Sequence, residues 1–150
     1  MNMDRRQFVL TSAAALAALS VNAVPAFAAN GMTADDRINE FTDGAEVSEG
    51  KVTLSTPEIA ENGNTVPISV EVDSPMTDDN YVQSIMVVAD GNPNPEVVTF
   101  NFTTMSGVAA AKTRIRLAKT QNVIAVAKLS DGSFQMAKNE VKVTIGGCGG

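Results

Sequence analysis

The sequence predicts an all-β fold, an immunoglobulin-like antiparallel β-sandwich with a short N-terminal helix and a flexible C-terminal arm. Three observations predict it. Beyond Lys51 apolar residues recur at period two, the spacing that places them on one face of a strand. Turn segments rich in Gly, Asn, Asp and Pro interrupt these runs at short intervals. After the last run the chain reads Gly146-Gly147-Cys148-Gly149-Gly150, and glycine loses more freedom on ordering than any other residue.

The first element, residues 1–28, reads as an export signal. Asp4-Arg5-Arg6-Gln7-Phe8-Val9-Leu10 precedes a mild apolar run from Ala13 to Val24, and Ala26-Phe27-Ala28 supplies a small-residue cleavage pattern. The paired arginines point to the twin-arginine route and a periplasmic product starting near Ala29. A membrane helix is the competing reading. The run is short and broken by Ser20, Asn22 and Pro25, which suits a bilayer span poorly. Twin-arginine export carries folded proteins, and travel in complex with a partner lacking its own signal is one reason to use it.

A β-sandwich domain is expected over residues 29–145. Thr33 caps a short helix, Asp35 and Asp36 sit at its positive end, and Ile38 and Phe41 share a face. Strand alternation follows at Val52 and Leu54, at Ile68, Val70 and Val72, at Phe100 and Phe102, at Ile115 and Leu117, and at Val141, Val143 and Ile145. Tyr81 to Ala89 and Val123 to Leu129 are nearly continuous apolar runs and read as central strands. Ser130-Asp131-Gly132-Ser133 is a hairpin turn into a strand at Phe134. Glu61-Asn62-Gly63-Asn64 and Asp90-Gly91-Asn92-Pro93-Asn94-Pro95 are further turns. Seven or eight short strands of this kind make a sandwich. With one Cys and no Trp, its core rests on Val, Ile, Leu and Met burial alone.

Composition narrows the function. The chain is 44% hydrophobic and 19% charged, with a net charge of −6. Loss of residues 1–28, which hold one acid and two bases, makes that −7. Nucleic acids and anionic membrane surfaces select basic patches, so neither is an expected partner. There is no histidine, which excludes Ser-His and Cys-His nucleophile pairs and His-containing metal sites. Asp78-Asp79 lacks further oxygen ligands for calcium and reads as a solvated turn. Arg114 and Arg116 share a strand face that reads as solvated, and the seven Met residues form no copper-binding spacing. No metal or cofactor is called for.

Cys148 is the residue that stands out. As the only cysteine it has no internal disulfide partner, and no basic neighbour in sequence favours its thiolate. That is the setting of an attachment point acted on by another protein's active site. Gly146, Gly147, Gly149 and Gly150 give it a swinging arm spanning roughly 16 Å when extended. Disulfide dimerisation through Cys148 is the structural alternative, and a thiol-dependent sulfurtransferase is the enzymatic one.

The terminal Gly-Gly-Cys-Gly-Gly directly after a strand resembles the SoxY family of sulfur carriers. So do Pro57-Glu58-Ile59-Ala60-Glu61-Asn62-Gly63-Asn64-Thr65-Val66-Pro67, Asn92-Pro93 and Thr113-Arg114-Ile115-Arg116-Leu117. The resemblance covers essentially the whole chain. It implies a non-catalytic subunit paired with a SoxZ-like sandwich protein. It implies that a SoxAX-like haem enzyme couples thiosulfate to Cys148 and that a SoxB-like hydrolase releases sulfate. A sulfur dehydrogenase is a further implied partner.

Overall fold

The computed structural model describes residues 31–148. The expected export signal and the arm residues Gly149 and Gly150 lie outside that range. The helix forms where its capping residue places it. Thr33 is extended (φ −77°, ψ 167°) and α1 runs Ala34–Thr42. The Asp36 amide donates to Thr33 Oγ1 at 3.2 Å, and the Asp36 carboxylate accepts from the Thr33 amide at 2.9 Å and from its hydroxyl at 2.7 Å. Donors that the helix leaves unpaired are thus satisfied reciprocally.

These bonds, the Thr33 hydroxyl first and its amide second, hold the Asp36 carboxyl below its ordinary 3.8. A depressed carboxyl stabilises the fold above its unfolded value and loses that contribution as pH falls through the folded one. Fraying of α1 is therefore expected on acidification below 3.8, and not on raising the pH. An NMR titration of the Asp36 carboxyl and of the α1 amides reads it. Thr33→Ala should cost about 1 kcal/mol in urea unfolding through loss of the cap.

Nine strands follow among the described residues: β1 Val47–Glu49, β2 Val52–Ser55, β3 Ile59–Asn62, β4 Val66–Val72, β5 Val82–Ala89, β6 Glu96–Asn101, β7 Ala109–Ile115, β8 Gln121–Leu129 and β9 Phe134–Ile145. One sheet has the order β2-β4-β7. The other has the order β1-β9-β8-β5-β6, with β3 also on β9. β9 pairs antiparallel with β8, β8 with β5, and β5 with β6. The outer edge of β9 carries two parallel partners, β1 against Phe134–Met136 and β3 against Lys142–Ile145. β9 is 12 residues long, so two short segments share its edge.

The strands expected separately at Phe134 and Val141 are one continuous strand. The polar stretch Lys138-Asn139-Glu140 stays in register with Ile124, Val123 and Asn122. Asn139 Nδ2 also donates to the Leu54 carbonyl at 2.7 Å, a bond from one sheet to the other.

Burial explains the continuous apolar runs of β5 and β8. Ile85, Val87 and Ala89, with Val123, Ala125, Ala127 and Leu129, belong to the main core between the sheets. Met86 and Val88, with Ile124 and Val126, belong to a second cluster with Phe134, packed by Ile38 and Phe41 of α1. Both faces of these strands are covered, so no polar alternation is required. Phe41 meets Phe134 edge to face, with ring centroids 5.9 Å apart. Arg37 pairs with Glu40 and with Glu96, joining α1 to β6.

Candidate functional site

Cys148 is exposed and its thiol is free. It lies three residues past the end of β9, so the path of the chain from Ile145 decides where it sits. That path is closely held. The Gly63 amide donates to the Ile145 carbonyl at 2.7 Å, continuing the β3–β9 pairing by one residue. The Leu117 amide donates to the Gly63 carbonyl, and the Gly147 amide donates to the Leu117 carbonyl, both at 2.8 Å. Three distant segments therefore meet backbone to backbone at the base of the arm.

This meeting demands glycine. A Cβ on Gly63 would stand 2.3 Å from the Leu117 oxygen and 2.7 Å from the Gly147 nitrogen. A Cβ on Gly147 would stand 2.7 Å from the Gly63 oxygen, and one on Gly146 would stand 2.1 Å from the Ala118 oxygen. The sequence suggests only mobility for Gly146 and Gly147. In the structure Gly147 is buried, and both residues also serve close packing.

The Cys148 amide donates to Asn64 Oδ1 at 3.2 Å. The Asn64 backbone is held in turn by its own amide, which donates to Asn62 Oδ1 at 2.9 Å in an Asx turn. Behind the cradle, the side chain of Leu117 is fully buried in the main core. Asn92 braces the segment around it. Its Nδ2 donates to the Arg116 carbonyl at 2.8 Å, and its Oδ1 accepts from the Ala118 amide at 3.0 Å and from Gln121 Nε2 at 2.8 Å. Gln121 is buried, and its Oε1 accepts from the Gly91 amide at 2.7 Å. A buried amide side chain so satisfied adds rigidity.

The other residues singled out by sequence lie apart from this chemistry. Asp78 and Asp79 are exposed in the turn closed by Thr77 and Asn80. Among the described residues no group of three or more His, Cys, Asp or Glu side chains is placed to hold a metal. Arg114 Nη1 donates to Thr65 Oγ1 at 3.3 Å, and Arg116 is exposed beside it. Residues 38–148 match the family model described as "Sulfur oxidation protein SoxY".

The chain belongs to the SoxY family.

A solved SoxY sulfur carrier protein from Chlorobium limicola f thiosulfatophilum is 30% identical, with a TM-score of 0.62. The match covers 73% of this chain and 90% of that one. A superoxide reductase (neelaredoxin) from Ignicoccus hospitalis aligns at 18% identity and a TM-score of 0.56, over 63% of this chain and 80% of its own. A putative superoxide reductase from Thermotoga maritima aligns at 20% and 0.52, over 69% and 89%. These two share the fold alone. No curated protein matches the chain.

Membership of the SoxY family makes this a sulfur-oxidation protein of the carrier kind. No helix among the described residues is long and apolar enough to cross a membrane. The family-like segments 57–67, Asn92-Pro93 and 113–117 contribute Gly63 and Asn64, Asn92, and the lead-in to Leu117. Their roles at the arm's base were not legible in sequence, because each acts on residues tens of positions away. Gln121 gave no sequence signal beyond being a polar residue at the start of an apolar run.

Proposed function

We propose that this SoxY-family chain carries the sulfur intermediates of thiosulfate oxidation covalently on the Cys148 thiol and presents them to partner enzymes in the periplasm. One observation carries the reading: the only cysteine in the chain is free and exposed just beyond the last strand, within a run of glycines. The setting suits attachment rather than turnover, since no histidine is available to act as a base.

The chemistry follows from a thiol and its partners. Oxidative coupling joins the Cys148 sulfur to the outer sulfur of thiosulfate. The thiol proton is lost and two electrons pass to a SoxAX-like haem partner. Water then attacks the sulfonate sulfur under a SoxB-like hydrolase, the sulfur–sulfur bond breaks, and hydrogen sulfate leaves. A cysteine persulfide remains on Cys148. A sulfur dehydrogenase oxidising that outer sulfur would allow a second hydrolysis. The glycines at 146, 147, 149 and 150 form the arm, with no side chain to obstruct entry into a partner's channel. A SoxZ-like subunit is the expected companion, and the twin-arginine signal the route of export for residues 29–150.

Intact mass spectrometry of the protein from cells oxidising thiosulfate tests the reading. Added masses of a thiosulfonate or of whole sulfur atoms, removed by reductant, are expected. Unmodified chain together with a reducible homodimer, and nothing else, would contradict it.

A further inference from the structure

We infer that Asn64 is a positioning residue that latches the arm through the backbone amide of Cys148, giving the thiol a docked place beside the sandwich and an extended one away from it. The inference rests on the reading of Cys148 as the attachment residue and says how that residue is held between partners.

The arm's base and its tip are held differently. Gly147 is buried, and its amide is bonded to a backbone carbonyl on Leu117, whose side chain is locked in the core. Cys148 is held by a single bond to an exposed side-chain oxygen. Water competes for that bond, so it opens more readily than the one behind it. The Asx turn at Asn62 holds the backbone from which the acceptor side chain projects, and it does not depend on the arm being docked. Asn92 and Gln121 hold the Leu117–Ala118 stretch still, so the cradle keeps its shape whether or not it is filled.

Reach shows why two positions matter. With Gly147 docked, the Cys148 Cα lies within about 3.8 Å of a fixed point. With the arm free back to Ile145, three residues span roughly 10 Å. Docked, the cysteine stays beside the sandwich; released, it enters a recessed partner site. Opening the Asn64 bond is the first step of that release.

Backbone 15N relaxation on the protein tests the latch, with Asn64→Ala and Asn64→Asp beside the parent. The Gly147 and Cys148 amides of the parent should show order parameters near that of rigid backbone, about 0.85. In Asn64→Ala the Cys148 value should fall below about 0.6, while Gly147, bonded to Leu117, stays ordered. Asn64→Asp should restore Cys148, because its carboxylate accepts the same bond. A parent Cys148 already below about 0.6, or an Asn64→Ala protein indistinguishable from the parent, would overturn the latch. Intact mass reads the sulfur adduct separately. Its absence would sink the carrier reading and leave the order parameters as they are.

Discussion

Cys148→Ser is expected to abolish sulfur loading completely while leaving the fold intact. The substitution exchanges one exposed sulfur for an oxygen of similar shape, and the bond to Asn64 uses the backbone amide, which serine retains. Stability should move by no more than about 0.5 kcal/mol in urea unfolding, as for other exposed positions. The chemistry should not survive, because a hydroxyl forms neither a thiosulfonate nor a persulfide. No second cysteine is available to take over. Intact mass from cells supplied with thiosulfate should show adducts on the parent chain and none on the variant. Loss of a disulfide dimer with thiosulfate oxidation unimpaired would instead assign Cys148 a structural role.

Gly63→Ala is expected to destabilise the protein by about 1–3 kcal/mol, because this turn glycine is buried against neighbouring backbone. The penalty comes from contact. The new Cβ meets backbone atoms of Leu117 and Gly147 well inside van der Waals distance, with Val143 Cγ1 at 3.0 Å. Backbone bonded on both sides has little room to shift, so either the Leu117 stretch or the arm must give way. Gly132 makes the contrast. Its φ of +85° carries a conformational cost, yet a Cβ there meets nothing within 4 Å. Urea unfolding of Gly63→Ala reads the loss, and a neutral result would show that the cradle yields easily. The same geometry bears on shortening the arm. Deleting Gly146 and Gly147 removes a docked segment as well as reach, so impaired loading in that variant would combine two effects.

The helix and most strands were legible because each is set by local spacing, although Glu61-Asn62, read as turn, ends β3, and Phe102 and Leu117 lie just past β6 and β7. The runs at β5 and β8 announced central strands by lacking polar alternation, and the structure covers both of their faces. Thr33 announced the helix start by capping chemistry that acts within four residues. β1 and β3 were not legible. They are three and four residues long, too short to show a period, and they form only because the edge of β9 offers unpaired backbone.

By itself the sequence determined the class of the fold, the isolation of Cys148 as the one thiol, and its placement among glycines just past a strand. Periodicity and residue identity are local properties, and they suffice for those conclusions. Only the tertiary structure decided that Gly63, Leu117 and Gly147 meet, that Asn92 and Gln121 brace them, and that Asn64 reaches Cys148 across 84 positions of chain. Those contacts depend on how the two sheets bring separate loops to one corner. A glycine required by a backbone 84 residues away leaves no trace in its own neighbourhood that distinguishes it from a glycine in an ordinary turn.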